Sequence, residues 1–134
     1  MTVIQEDNKL IMERVLNKVS SFRDLDVWKK SMELSVDIYN ITQSFPSTEL
    51  YGLTSQLRRA AVSVASNIAE GSGRHSTKEF LQFLNIANGS LAEIETQLEL
   101  AYRLNYIQSI EIQPNINHIR SMIFGLIRSL RKKL

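Results

Sequence analysis

The chain has 134 residues, no cysteine and a formal net charge of +2 at pH 7. Hydrophobic residues make up 43% and charged residues 22%, which is typical of a folded globular domain and unlike a disordered chain. The length suits one domain, and the lack of cysteine excludes disulfides and thiolate metal sites. No apolar run reaches the ~18 residues of a membrane span, so we expect a cytoplasmic protein without membrane contact.

Residues 1–21 are predicted to be an N-terminal extension of a single folded domain, residues 22–134. Ile11, Val15 and Val19 follow a helical spacing, so this extension is either a marginal helix or disordered. The charges scattered through it are not those of a secretory signal. The extension is therefore not expected to contribute to the core.

The first main helix is predicted from about Asp24 to Ser44. It should stop before Pro46, because proline cannot continue the hydrogen-bond ladder and disfavours helical geometry in the preceding residue. Its apolar residues form two adjoining faces, which indicates contact with more than one neighbour. One face comprises Leu25, Trp28, Met32, Val36 and Tyr39, and the other comprises Val27, Leu34, Ile38 and Ile41.

The second helix begins at Leu53 and is built largely from Ala, Ser, Asn and Gly, so its neighbours can approach closely. Gly71 and Gly73 are expected to end it, since glycine suits the left-handed residue that often follows a helix. The polar residues recur every three or four positions and therefore line one side of the helix. This polar stripe consists of Gln56, Arg59, Ser63, Asn67, Glu70 and Arg74.

The third helix is predicted to begin at a capping box formed by Ser76 and Glu79 and to continue to about Tyr106. Gly89 lies at its middle, where glycine lowers helix propensity, and we interpret it as a point of close approach by another helix. The aromatic residues have helical spacing and are expected to lie in the core. They are Phe80, Phe83, Tyr102 and Tyr106.

The last helix is predicted from near Gln113 to Lys133, with Pro114 tolerated because it falls in the first turn. The chain thus contains four amphipathic helices joined by short connections. This arrangement predicts an all-α fold, an antiparallel up-down four-helix bundle preceded by the short N-terminal extension.

Three segments of the chain resemble the sequence blocks of the four helix bundle protein family, also called the 23S rRNA intervening-sequence protein family. The segments are FRDLDVWKKSMELSVDIY, LTSQLRRAAVSVASNIAEGSGR and ANGSLAEIETQLELAYRLNYI. The resemblance implies a bacterial bundle that assembles as a ring-shaped homopentamer and has no established enzymatic activity. The family is also similar in fold to the accessory protein of diversity-generating retroelements, which binds nucleic acid and a reverse transcriptase.

The polar stripe has two interpretations. Arg58 and Arg59 could hold phosphates through bidentate guanidinium bonds, repeated around a ring. Alternatively, Arg59 and Glu70 belong to a polar ladder that a partner subunit completes, because an unpaired buried charge favours pairing. We favour the second interpretation, in which the stripe faces a neighbouring subunit or a central pore. An enzyme site on the stripe is a remote alternative, since no nucleophile with a base and an orienting group is recognisable.

The C-terminal helix carries an excess of basic residues. Between positions 110 and 134 there are five basic residues and one acid, Glu111. Such a cluster can contact the backbone of RNA or DNA without reading bases, although it is more often a solvated helix end. The candidate contacts are Arg128, Arg131, Lys132 and Lys133.

Metal and cofactor binding are not expected. Glu93, Glu95 and Glu99 lie on one helix, but a diiron bundle needs Glu-x-x-His pairs on facing helices, and neither His75 nor His118 supplies one. We therefore expect a non-enzymatic, homo-oligomeric scaffold or adaptor without cofactor or metal. Its expected partners are further copies of the chain, with RNA, DNA or another protein as alternatives.

Overall fold

The computed structural model describes residues 21–134, and the predicted extension lies outside them except for Ser21. The described residues form four α-helices and no strand, which confirms the all-α prediction. None of these helices is long and apolar enough to cross a membrane. They are α1 (Asp26–Thr42), α2 (Leu53–Ser72), α3 (Thr77–Arg103) and α4 (Gln113–Arg131), with short 3-10 turns at Phe22–Asp24 and Ser47–Glu49.

The four helices form the predicted up-down bundle. α2 packs most extensively on α3, α1 packs on α2, and α4 closes the bundle against α3 and α1. Each helix turns one apolar face inward, so the core is one continuous cluster of mainly aliphatic side chains. Its fully buried members include Leu34, Ile38, Leu57, Ile68, Leu84, Leu91, Leu98, Ile116, Ile119 and Ile123.

Two predicted helix starts are confirmed. The Ser76 hydroxyl accepts a hydrogen bond of 3.0 Å from the backbone N–H of Glu79, which caps α3. Pro114 lies in the first turn of α4, where its missing N–H breaks no helical bond. α1 is shorter than predicted and ends at Thr42, three residues before Phe45, whose ring packs 5.4 Å from that of Tyr106.

The end of α3 differs from the prediction, and so does the place of the left-handed residue. α3 ends at Arg103, after which Asn105 adopts φ 63°. The Tyr106 N–H donates to the Ala101 carbonyl at 2.9 Å, which is the bond expected when a left-handed residue follows a helix. Gly73, at the end of α2, has φ −85° and is right-handed, so that part of the prediction is wrong.

Within the described part of the chain, no other helix makes the close approach predicted at Gly89. Among residues 21–134, no side chain and no other element lies within 4 Å of the place where a Cβ on Gly89 would stand, because this residue faces outward from α3. Contact occurs instead at Gly71, where an added Cβ would lie 2.7 Å from the Cβ of Phe83. The expectation that the aromatic residues lie in the core is only partly right: Phe80 is buried, whereas Tyr102 is exposed.

Candidate functional site

The polar stripe lies on the side of α2 next to α3, and its middle is bonded within the chain. The Ser63 hydroxyl oxygen lies 2.9 Å from the hydroxyl oxygen of Ser90 on α3. The Asn67 amide donates to the Ser63 backbone carbonyl at 2.8 Å and to the Ser63 hydroxyl at 3.0 Å. Ser63 therefore joins the two helices through Ser90, while Asn67 bonds to Ser63 within α2.

The charged residues of the stripe are not brought together as one group. Glu70 accepts a 2.9 Å hydrogen bond from Arg74, one helical turn later, and the Arg74 guanidinium also lies 5.0 Å from the ring centre of Phe83. Arg59 is exposed and makes no ion pair within the described residues. Arg59 and Glu70 thus do not pair with each other within one chain. Among the charged residues of the polar stripe, only Arg59 has no ion pair within residues 21–134.

Arg58 and Arg59 point to different sides of α2. The Arg58 Nε donates to the Thr42 hydroxyl at 2.9 Å, and its guanidinium stacks 4.6 Å from the ring centre of Tyr39 on α1. Consecutive residues of a helix are about 100° apart, so the two guanidinium groups do not converge. Arg58 is therefore engaged in the α1–α2 contact, and only Arg59 is left for the phosphate interpretation, which used both arginines.

A groove with a volume of about 490 Å³ runs between α2 and α3. Sequence analysis identified its α2 wall but missed its α3 wall, although those residues recur at helical spacing and carry the signal of a shared face. We call this surface the α2–α3 groove. It is lined by Gln56, Arg59, Ala60 and Ser63 from α2 and by Ile86, Gly89, Ser90, Glu93 and Gln97 from α3.

The α2–α3 groove contains polar groups that have no partner among residues 21–134. Glu93 is exposed and has no ion pair among residues 21–134. The side-chain oxygen of Gln97 is screened from solvent and has no hydrogen-bond partner in the part of the chain that the structure describes. Gly89 and Ala92 keep the middle of its α3 wall low. An adjoining depression lined by Leu53, Ala92 and Leu100 extends the groove along the helices. The groove can therefore admit another helix and offers acceptors to it.

A second surface is an apolar row on the outside of α1, which we call the α1 stripe: Met32, Val36 and Tyr39. These side chains are 41%, 57% and 43% exposed, so this one of the two predicted apolar faces of α1 does not pack into the core. The inward positions next to α2 are occupied by small hydroxyl residues, and the Ser35 hydroxyl donates to the Ala61 carbonyl at 3.2 Å. α1 uses its other apolar face for the core. Among residues 21–134, Met32 and Val36 of the α1 stripe stay exposed, and Tyr39 is contacted by the Arg58 guanidinium.

The three glutamates of α3 have separate environments and do not form a metal site. Glu95 accepts hydrogen bonds from Arg120 and, at 2.9 Å, from the Gln113 amide of α4. Glu99 pairs with Arg103 at 3.1 Å. No group of three possible metal ligands occurs in the described part of the chain.

The ends of the bundle differ in charge. The up-down order brings the end of α4 beside the α2–α3 turn and the start of α1. Lys29 and Lys78 lie at this end together with the acids Asp26 and Glu79, so the C-terminal cluster provides its excess of positive charge. The C-terminal cluster is exposed and joins none of the ion pairs found among residues 21–134. We call this surface the basic end. Its cluster consists of Arg128, Arg131, Lys132 and Lys133.

A cleft of about 570 Å³ lies at the opposite end, between α1 and the α3–α4 loop. It carries the carboxylates of Asp37 and Glu111. Tyr106 also lines it, and burial raises the pKa of this tyrosine, with a smaller effect from its hydrogen bond to the Glu49 carboxylate. Sequence analysis missed this cleft because its walls come from distant segments.

The model of the family described as 23S rRNA-intervening sequence protein matches residues 23–126, most of the chain. The chain belongs to this family. The resemblance noted from the three sequence segments is thereby confirmed.

A solved structure is similar to this member of the 23S rRNA-intervening sequence protein family as well. It is described as a protein with unknown function from the S23 ribosomal protein family of Bacteroides thetaiotaomicron. Identity is 26%, the TM-score is 0.54, and the alignment covers 80% of this chain and 96% of that one. A comparison with curated proteins finds no match. The family match contains the α1 stripe and the α2–α3 groove but ends before Arg128, so the C-terminal basic cluster lies outside it.

Proposed function

We propose that the protein is a non-enzymatic scaffold or adaptor whose bundles assemble into a homo-oligomeric ring, a pentamer by family resemblance. The exposed α1 stripe is the observation that carries this proposal. Its residues, Met32, Val36 and Tyr39, lie in one row on a helix whose opposite face already fills the core. Contiguous exposed apolar side chains mark interaction sites, since soluble proteins seldom leave large patches of this kind uncovered.

The position of the α2–α3 groove supports a ring over a simple dimer. A twofold dimer uses one patch against itself, whereas a ring joins two different patches of each subunit. The α1 stripe protrudes from one helix, and the α2–α3 groove is recessed between two others. These two unlike surfaces suit a repeated contact in which every subunit uses both.

The polar stripe fits the same proposal. Ser63, Asn67, Glu70 and Arg74 are engaged in hydrogen bonds within the chain. A catalytic group would have to be available to a substrate, and these side chains are already held by their neighbours. Their proposed role is to fix the shape of the α2–α3 groove.

Light scattering of the purified protein tests the ring. We expect a particle several times the 15.3 kDa mass of one chain, and Val36→Lys should dissociate it because a charge cannot enter an apolar contact unpaired. Ser121→Lys places the same charge on an exposed position of α4 and should leave the particle intact. A wild-type protein that is monomeric at all concentrations would contradict the proposal.

The basic end supports a second function, contact with the backbone of RNA or DNA. The fold places the C-terminal cluster beside other cations and leaves its charges unpaired within residues 21–134. Lysine and arginine bound to phosphates release counterions, which gives affinity without sequence preference. In a ring the basic end would be repeated once per subunit, so weak contacts would act together.

A further inference from the structure

We propose that the α2–α3 groove of one copy receives the outer face of α1 from the next copy, and that Lys29 of one then pairs with Glu93 of the other. This inference rests on the proposed ring and names the two surfaces that meet in it. A second copy of the chain is thus the occupant of the groove.

The first argument is the shape of the groove. Within residues 21–134 no side chain or other element lies within 4 Å of a Cβ built on Gly89, so the α3 backbone is open to a partner at this point. Ala60 and Ala92, which also line the groove, are small. Ile86 and Leu100 are exposed on the same outward face of α3 and provide apolar contacts on either side of Gly89. The surface is therefore a shallow trough bounded by apolar side chains, into which a helix can fit.

The second argument is the charge inside this trough. Glu93 lines the groove, and Arg59 on the opposite wall does not form an ion pair with it. Gln97 follows Glu93 by one helical turn. Its side-chain oxygen accepts no hydrogen bond within residues 21–134, so rotating the amide towards a partner would not break a bond to this oxygen. The groove thus offers a carboxylate and an amide oxygen to a side chain that donates.

The third argument is the complementary pattern on α1. Lys29, Met32 and Val36 are spaced three and four residues apart, so they share the outward face of the helix. Lys30 is already bound to Glu33 at 3.3 Å, whereas Lys29 makes no ion pair within residues 21–134. The face therefore presents one available cation beside apolar side chains. The groove presents the carboxylate of Glu93, which is unpaired within the same residues and likewise lies beside apolar side chains.

Charge reversal tests this pairing in the full chain. Glu93→Lys and Lys29→Glu should each place like charges together and weaken assembly ~100-fold or more, since such juxtaposition costs several kcal/mol. The double variant restores opposite charges and should recover assembly to within about tenfold of wild type. Subunit dissociation constants from dilution in analytical ultracentrifugation provide the measurement.

A second pair of variants separates a blocked groove from a damaged fold. Gly89→Leu should abolish assembly while leaving the thermal midpoint of each bundle unchanged or higher, because leucine meets no atom there and favours the helix. Gly125→Leu is its matched control: this α4 glycine also has no side chain or other element of the described chain within 4 Å of an added Cβ, and it lies away from the groove.

The possible failures are distinguishable. If the ring forms and Gly89→Leu leaves it intact, the groove is not the contact and the inference is overturned, while the proposed function stands. If Gly89→Leu dissociates the ring but the double charge variant does not reassemble, something other than the outer face of α1 fills the groove, and the inference fails. A monomeric wild type overturns both the ring and the pairing.

Discussion

At Gly71 the backbone of α2 lies directly against side chains of α3. An added Cβ would stand 2.7 Å from the Phe83 Cβ and 3.1 Å from a ring carbon of Phe80. Both are part of the packed contact between the helices, and a Cβ is not a flexible group that can move aside. Glycine is therefore required at this position by the tertiary contact, and its lower helix propensity is the cost of that contact.

Gly71→Ala should lower the free energy of unfolding by about 1 to 3 kcal/mol, because overpacking outweighs the gain in helix propensity. Gly73→Ala is the control. Its added Cβ would lie 3.6 Å from the Glu70 carbonyl oxygen, an ordinary contact, and its φ of −85° suits alanine. Urea denaturation followed by circular dichroism measures both variants. Equal stability of the two would contradict the close contact at Gly71.

α4 is held to the bundle by a polar contact as well as by its apolar face. Glu95 on α3 accepts hydrogen bonds from both Arg120 and Gln113, and Gln113 also donates to the Asn117 side chain at 3.0 Å. The side chains of Arg120 and Glu95 are only 27% and 29% exposed, so solvent weakens their attraction less than that of a surface pair. This network fixes the start of α4 against the second half of α3.

Arg120→Leu should lower the free energy of unfolding by about 1 to 3 kcal/mol, because it leaves the half-buried Glu95 carboxylate without its charged donor. Arg103→Leu removes an arginine from an ion pair in which the side chains are 74% and 48% exposed, and it should cost about 0.5 kcal/mol or less. Denaturant titration of the two variants gives the comparison. A loss at Arg103 as large as that at Arg120 would contradict the role of burial.

For the whole molecule, the main feature is the separation of charge along the bundle. Because α4 runs back towards the α2–α3 turn, its four terminal cations gather at one end. The carboxylates of Asp37 and Glu111 line a cleft at the other. The net charge of +2 is small because acidic and basic residues largely cancel over the whole chain. The electric field of such a separated charge distribution can orient an anionic polymer towards the basic end.

Replacement of Arg128, Arg131, Lys132 and Lys133 by glutamine tests the nucleic-acid function. If these side chains bind phosphates, affinity for RNA or DNA should fall, and the slope of log affinity against log salt should become shallower by about 0.7 to 0.9 for each phosphate that is no longer neutralised. Filter binding or fluorescence anisotropy over a salt series measures the slope. The variant Arg103→Gln removes a cation at the opposite end of the bundle and should retain the wild-type slope. Absent or salt-independent binding by wild type would leave a protein scaffold alone.

Local patterns in the sequence determined much of the fold. The period of the apolar residues, the cap at Ser76 and the position of Pro114 are properties of neighbouring residues, so the four helices and their bundle could be predicted. The three sequence segments also identified the family. The polar stripe on α2 could be found for the same reason, since helical spacing alone places its members on one side.

The tertiary structure decided which surfaces face inward and which charges remain available. α1 has two apolar faces of similar character, and only its packing on α2 through Ser35 shows that the α1 stripe is the outer one. Gly71 and Gly89 are both helix-internal glycines, yet one touches Phe83 and the other is open. Spacing within a helix fixes which residues share a face. The orientation of that face depends on contacts between segments distant in sequence, and the α2–α3 groove is formed by such contacts.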